Sequence, residues 1–274
     1  YVVKDGRHPP WVFQSRGRAI VQPVVSGSGV AWPTDKGDLY VAEANLTGIR
    51  YRLETKRPIV ARPTPLPPNR LVVVSTDGYV NCIHELSGSL VWRFSTGEPI
   101  VNPAVAVEDA VFVVTEDDNL FRISAETGME QWWAPHVQEV LSATKTRLYC
   151  LGDTGRLIIF DMKTGGRLGS LSTEQLDIRM VNYSTDRIFL GSSTGLIQCL
   201  REVDAEWPTI RAGNLEEEPK DEKANKKDED PAAKADPAAP PAAAPADPFG
   251  AFGTEPAAGA PEKADPVADP FGSF

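Results

Sequence analysis

The sequence predicts an all-β fold: a β-propeller of four-stranded antiparallel blades with about five repeats over residues 1–203, followed by a tail over 204–274. Three observations lead to this prediction. Turn sequences recur about every 40 residues, short apolar runs lie between them, and residues 1–203 lack the 3.6-residue apolar period of a helix. Four short strands in a unit of about 40 residues are typical of a propeller blade.

Three kinds of marker share the period. The turn of STDGYV (75–80) has counterparts with spacings of 41, 41, 36 and 40 residues, at Gly37, Gly78, Asn119, Gly155 and Gly195. A second turn recurs as LTG, LSG, ETG and KTG. An apolar pair precedes a proline at intervals of 40 residues, at Pro23, Pro63 and Pro103. Glycine and asparagine accept the positive φ of a tight hairpin, so we expect strands to end at these turns.

The runs between the markers have a recurring order. The second run of each unit is almost wholly apolar, as in LVVV (71–74), VFVV (111–114), LYCL (148–151) and IFL (188–190). A strand that is apolar on both sides is expected to be covered on both faces. Blades stacked around an axis would cover each other's strands in this way. The fourth run has a tryptophan at Trp92 and at Trp132. We expect these two rings to pack between blades; the alternative is an exposed stacking platform.

The N-terminal segment is predicted to close the ring. Trp11 lies 81 residues, or two repeats, before Trp92. Segment 11–15 therefore resembles a fourth strand without a blade of its own. The last unit, 179–202, has three runs and no fourth, so we expect 11–15 to pair beside 196–201 and to complete that blade.

A cluster of polar residues in VSTDGYVNCIHELSGSLVWRF (74–94) suggests at first a catalytic or metal site. The repeat favours a structural interpretation. Asp77 stands beside the turn glycine, where Asp is an ordinary turn former. His84 is expected to be a packed or edge residue, since no second His or carboxylate is placed by spacing. Cys82 and Cys199 occupy matching places in their repeats, 117 residues apart, and are expected to be small core residues.

Charge and cysteine spacing exclude several functions. The chain has a net charge of −10, of which 214–274 contribute fourteen acidic and six basic residues, a net of −8. Residues 1–213 are thus nearly neutral, and no basic stripe for nucleic acid is present. The three cysteines lack CxxC spacing, which argues against a zinc ribbon. No apolar run approaches the roughly 20 residues of a membrane-spanning helix.

The tail is expected to be disordered, because its acidic, Ala- and Pro-rich composition buries too little apolar surface to offset its ordering entropy. It contains two near copies of one motif, ADPFGAF (246–252) and ADPFGSF (268–274). These are candidate docking motifs for a partner, and the alternative is low-complexity duplication. The candidate docking residues are Asp247, Pro248, Phe249, Phe252, Asp269, Pro270, Phe271 and Phe274.

The segment SAETGMEQWW (124–133) resembles the repeat of the pyrroloquinoline-quinone-type (PQQ-like) propellers, in which a Thr-Gly turn precedes a tryptophan by four residues. Thr127, Gly128 and Trp132 fit that pattern. Gly169 and Arg52 stand where the tryptophan would be in two other repeats. The resemblance covers about 1–203.

This resemblance implies a scaffold, nearest to non-enzymatic members such as the outer-membrane β-barrel assembly propeller lipoprotein. The family's quinoprotein dehydrogenases have an adjacent cysteine pair, whereas the three cysteines here are isolated. We therefore expect no catalytic, cofactor-binding or metal-binding residue, and no quinone or calcium. Protein partners and a periplasmic or cell-envelope location are expected. The alternatives are a truncated quinoprotein dehydrogenase and a small-ligand or polysaccharide sensor.

Overall fold

The computed structural model describes residues 12–27, 29–43 and 48–211. Within these ranges every regular element is a strand, and nineteen strands form five antiparallel sheets that follow one another along the chain. The all-β prediction is confirmed, and the five sheets match the five predicted repeats. Four of the sheets have four strands and the fifth has three.

Each sheet is built from consecutive strands. The first contains β1 (Val24–Ser26), β2 (Gly29–Pro33), β3 (Asp38–Glu43) and β4 (Ile49–Glu54). The second contains β5 (Thr64–Leu66), β6 (Arg70–Val74), β7 (Tyr79–His84) and β8 (Leu90–Ser95). The third contains β9 (Val105–Val107), β10 (Ala110–Val114), β11 (Leu120–Ser124) and β12 (Glu130–Ala134). The fourth contains β13 (Val137–Ala143), β14 (Arg147–Gly152), β15 (Leu157–Asp161) and β16 (Arg167–Leu171). The fifth contains β17 (Ile178–Met180), β18 (Ile188–Gly191) and β19 (Ile197–Leu200).

The second strands of the second, third and fourth sheets are almost wholly apolar because sheets cover them on both sides. In β6, Leu71 and Val73 pack into the core shared with the first sheet, whereas Val72 and Val74 pack into the core shared with the third. Strands β10 and β14 divide their side chains in the same way. Fully burying one such side chain contributes about 1.5–3 kcal/mol. Four inter-sheet cores therefore join the five sheets in sequence.

A tryptophan on the fourth strand attaches one sheet to a turn of the next. Trp92 Nε1 donates a hydrogen bond to the backbone oxygen of Ala125 at 3.0 Å. Trp132 Nε1 donates to the backbone oxygen of Met162 at 3.1 Å. Both rings are nearly buried. The expectation that these rings pack between blades is confirmed.

The turn under each ring requires glycine. Gly128 lies beneath Trp92 and Gly165 beneath Trp132, with φ of 72° and 71°. A Cβ added to either glycine would lie 2.6 Å from the Cδ2 atom of the ring above it. The glycine of the Thr-Gly motif and the tryptophan of the preceding repeat therefore pack directly against each other.

In the first sheet, Tyr51 stands where the fourth-strand tryptophan lies in the second and third sheets. Motif spacing predicted Arg52 at this position, and that prediction is wrong. The Tyr51 ring lies over Gly88, with its Cδ2 atom 2.7 Å from where a Cβ of that glycine would be. Strand pairing resumes one residue after Gly48 but two residues after Gly88, so the first turn is shorter and the register moves by one.

In the turn between β10 and β11, the residue with positive φ is Asp118, with φ of 60°, and not Asn119 as predicted. Asp118 N donates to Thr115 O, as Gly78 N donates to Ser75 O in the second sheet. Asp, like Asn, tolerates the left-handed region better than most residues. Spacing from a motif cannot separate two adjacent residues that both accept this conformation.

The N-terminal segment packs on the first sheet. Residues 12–15 form no strand, and the Phe13 ring lies 5.7 Å from the Trp32 ring. Arg16 Nε donates to the carboxylate of Asp38, which is fully buried. The predicted pairing of 11–15 with 196–201 is therefore wrong for residues 12–15, because these contacts hold them at the first sheet. Trp11 lies outside the described residues.

Residues 204–211 also pack, although composition placed them in the tail. Ile210 forms an isolated β-bridge with Thr185. Arg187 donates to the backbone oxygens of Ala205 and Glu206 at 2.9 and 3.1 Å. The packed region therefore continues to Arg211.

Candidate protein-binding sites

The fifth sheet has an apolar face that no described strand covers. Pairing of β17, β18 and β19 places five side chains on the side away from the fourth sheet. We call this the open face of the fifth sheet; it consists of Ile178, Met180, Phe189, Ile197 and Cys199. Ile197 is 79% exposed and Met180 is 58% exposed. The opposite side, with Ile188 and Leu190, is buried against the fourth sheet.

Strand β19 is an edge in the described part of the chain. The other four sheets have a fourth strand beyond the corresponding position. Cys82, on the third strand of the second sheet, pairs with Trp92 on the fourth and is buried because the third sheet packs on that face. Cys199 pairs with Phe189 on one side and is exposed. The prediction that Cys199 is a core residue is therefore wrong, whereas that for Cys82 is confirmed.

The three cysteines should differ sharply in reactivity. Burial raises the pKa of the Cys82 thiol to about 11, against a small opposing effect of Arg70, and burial also raises the pKa of Cys150. The thiolate is the reactive form, so both should be inert in the folded protein. We expect a thiol-specific chromogenic reagent at pH 8 to modify one cysteine of the native chain, Cys199, and all three in denaturant. Two or more fast thiols in the native state would contradict the structure.

A cleft of about 270 Å³ lies between the first and second sheets. We call it the first inter-sheet cleft. Its apolar lining includes Leu39, Leu53, Val73 and Ile83, which belong to the core shared by the two sheets. Its exposed margin has several polar side chains and the half-exposed Leu90.

The cleft exists because one repeated position holds a small polar residue. Asn81 pairs with Val73 and Arg93, and its counterparts by register are large: Tyr40, Phe121 and Ile158. Between the second and third sheets, Phe121 packs against Phe94 with the ring centroids 5.8 Å apart. Between the first and second sheets the corresponding pair is Asn81 and Leu53. The smaller pair leaves the space open.

The polar margin of the cleft has two cations, Lys56 and Arg93, and two carboxylates, Glu54 and Asp77. Arg93 Nε donates to Asn81 Oδ1 at 2.7 Å, and the guanidinium lies 5.2 Å from the centroid of the Tyr79 ring. In the described part of the chain neither Arg93 nor Lys56 has an ion pair. The Glu54 carboxylate is paired with Arg16 and Arg52. Asp77 accepts hydrogen bonds within its own turn.

Glu85 is a buried carboxylate next to the first sheet. It is 1% exposed, and its Oε2 accepts a hydrogen bond from Ser26 Oγ at 2.8 Å. Ala125 and Met162 occupy the same backbone position in the next two sheets, so a carboxylate here departs from the repeat. Burial, and then the charge of Glu85, raise the pKa of Tyr51 to about 12. Tyr51 therefore stays protonated across the physiological range.

The remaining polar residues of 74–94 have structural places. Asp77 caps its turn through Ser75 Oγ and the backbone nitrogen of Tyr79, which confirms the turn interpretation. His84 is half-buried, and its Nδ1 accepts a hydrogen bond from the backbone nitrogen of Leu86. The candidate docking residues of the two ADPFG motifs lie outside the described residues. Among the described residues no group of three His, Cys, Asp or Glu side chains is arranged to hold a metal.

Sequence reasoning missed both the cleft and the open face. The signal for the cleft was Asn81 in YVNCIHE, polar where the aligned positions are aromatic or aliphatic. The signal for the free edge of β19 was the absence of a fourth run after it, but motif spacing assigned that place to 11–15. The face itself is open because no described sheet packs on it, and the repeat pattern gave no separate signal for this.

The repeated sheets and the Trp–Gly contacts between them define a propeller of the PQQ-like repeat class. A family model described as "Outer membrane protein assembly factor BamB" matches residues 52–189, half of the chain, and the chain belongs to this family. No curated protein matches the chain in a sequence comparison. No helix in the described ranges is long and apolar enough to cross a membrane.

Solved structures show the same fold. BamB from Moraxella catarrhalis is 14% identical, with a TM-score of 0.53 over 70% of this chain and 63% of that one. The computationally designed Ika8 protein is 14% identical, with a TM-score of 0.53 over 66% of this chain and 57% of that one. The Cps50 (Swd1) β-propeller domain of Myceliophteria thermophila is 12% identical, with a TM-score of 0.56 over 70% and 68%. The chain thus spans less than two thirds of the BamB and Ika8 chains.

Proposed function

We propose that this chain is a non-enzymatic scaffold that binds protein partners in the bacterial cell envelope. The envelope location is inferred from the family, which is described by an outer-membrane assembly factor. The observation that favours protein binding is the open face of the fifth sheet with its edge strand β19. An apolar face of this kind, next to unpaired backbone groups, accepts an extended segment of another protein as a further strand.

The occupant of this edge is an extended, apolar segment of a partner. Four sheets of the protein end in a fourth strand that pairs with the third, and the same register would place a partner strand beside Ile197–Leu200. Its backbone would pair with β19, and its apolar side chains would lie beside Ile197 and Cys199 and extend the open face. Backbone pairing supplies affinity, and alternate side chains supply specificity.

Cys199 provides a direct test because it lies on this face and is exposed. A benzophenone attached to Cys199 should cross-link, on irradiation in an extract of the source bacterium, to a discrete envelope protein. The matched control is Cys199→Ser combined with Leu168→Cys, since Leu168 is also exposed but lies on the fourth sheet. The control should give no such product, and Ile197→Asp should remove it from the Cys199-labelled protein.

Two results would overturn this proposal. Equal cross-linking from Cys199 and from the Leu168→Cys control would show that the face has no specific partner. Cross-links from Cys199 only to residues 1–11 of the same chain would show that its own N-terminal segment occupies the edge.

The quinoprotein alternative is tested separately. Titration with pyrroloquinoline quinone and calcium should show no saturable spectral change, and no alcohol oxidation should follow. Measured turnover would overturn the non-enzymatic assignment.

A further inference from the structure

The first inter-sheet cleft has the dimensions and lining of a site for one aromatic side chain. A cavity of about 150 Å³ lined by aliphatic groups holds a benzene molecule, and this cleft measures about 270 Å³. Its floor consists of the same kinds of side chain, Leu39, Val73 and Ile83, each no more than 3% exposed.

The neighbouring interface shows what fits there. Phe121 occupies the corresponding position between the second and third sheets and packs on Phe94. Asn81 and Leu53 leave that volume open between the first and second sheets. An aromatic ring supplied from outside the sheets can therefore adopt a packing that the protein already uses one repeat later.

Four charged side chains line the margin of the cleft. The carboxylates of Glu54 and Asp77 already have partners, which are two arginines for Glu54 and its own turn for Asp77. The cations Arg93 and Lys56 have no ion pair within the described ranges. Arg93 is held by its bond to Asn81 and by the Tyr79 ring, which fixes its position at the margin. A carboxylate close to the bound aromatic ring would complement these cations.

We propose that the first inter-sheet cleft binds a protein partner through an aromatic side chain that has a carboxylate within two residues of it in the partner's sequence. The ring occupies the space that Phe121 fills in the next interface, and the carboxylate pairs with Arg93. This proposal rests on the chain's role as a protein-binding scaffold. It concerns a surface separate from the open face of the fifth sheet.

A short labelled peptide tests the proposal. ADPFGAF, the sequence of 246–252, has an Asp two residues before a Phe, and ADPAGAA is its control. Fluorescence anisotropy with the full chain should show saturable binding of ADPFGAF and none of ADPAGAA. Asn81→Phe fills the cleft and should weaken binding about thirtyfold, the loss expected for an aromatic anchor.

A second variant covers the case in which Asn81→Phe fails to fold. Arg93 is exposed, so Arg93→Glu should fold normally and weaken binding about threefold or more, with a reduced dependence on salt. Arg167→Glu makes the same charge change on the fourth strand of the fourth sheet and should leave binding unchanged.

Three results would overturn the proposal. The first is equal binding of the two peptides. The second is undiminished binding by a folded Asn81→Phe protein together with unchanged binding by Arg93→Glu. The third is binding that emerges only after Phe249, Phe252, Phe271 and Phe274 are changed to alanine, which would identify the chain's own motifs as the occupant. Persistent Cys199 cross-links alongside any of these would leave the scaffold function intact.

Discussion

Replacing Trp132 with alanine is expected to lower the free energy of unfolding by about 3–5 kcal/mol, the range for removing a large buried aromatic side chain. The ring is 9% exposed and lies between Phe112 and Phe160, with centroids 5.9 and 6.3 Å away. Its removal leaves a cavity between the third and fourth sheets. It also leaves the backbone oxygen of Met162 without its donor.

The adjacent residue is a matched control. Trp133 points to the other side of β12 and is 55% exposed. Trp133→Ala should cost about 1 kcal/mol or less. Urea unfolding followed by far-ultraviolet circular dichroism compares the two variants without relying on tryptophan fluorescence. Equal losses for Trp132→Ala and Trp133→Ala would contradict the inter-sheet contact.

Trp132→Phe separates packing from hydrogen bonding. Phenylalanine keeps most of the ring contacts but cannot donate to Met162. The variant should lose about 1–3 kcal/mol, the cost of leaving one buried acceptor unsatisfied, plus the smaller cost of reduced ring size.

The strands could be predicted because their chemistry is local. In LVVV and VFVV every side chain is apolar, and a strand with this composition must be covered on both faces. The turns at Gly78, Gly128 and Gly165 could also be predicted locally, because glycine accepts the positive φ that the structure shows at all three. These features need no knowledge of distant residues.

The errors arose where distant contacts or single-residue shifts decide the outcome. Arg52 was one residue away from Tyr51 because the turn after β3 is one residue shorter. Asn119 was one residue away from Asp118 because both residue types accept a positive φ. Segment 12–15 was placed at the fifth sheet, whereas the buried carboxylate of Asp38 holds Arg16 at the first.

The cleft was missed for another reason. The cleft forms because the side chain at one position is smaller than those at the corresponding positions of neighbouring repeats. Asn81 is significant only after register has aligned it with Phe121 and Ile158. Register of this kind is a property of the paired strands, and the sequence pattern alone did not reveal it.

Replacing Gly128 with alanine is the second large effect expected. Two costs add. Alanine at a φ of 72° costs about 1–2 kcal/mol in backbone conformation. The new Cβ would also lie 2.6 Å from Trp92 Cδ2, so the ring must move out of its packed position, at about 1–3 kcal/mol. The sum of about 2–5 kcal/mol should appear as a lower urea midpoint with an unchanged denaturant slope.

Gly97 separates these two costs. Its φ is 77°, almost the same, but a Cβ there would have no heavy atom within 4 Å. Gly97→Ala should therefore cost only the conformational part, about 1–2 kcal/mol. In a Trp92→Ala background the clash at Gly128 disappears, and Gly128→Ala should then cost no more than Gly97→Ala does. A double-mutant cycle measures this coupling directly. If Gly128→Ala cost the same with and without the Trp92 ring, the contact between the tryptophan of one sheet and the glycine turn of the next would not be what joins the sheets.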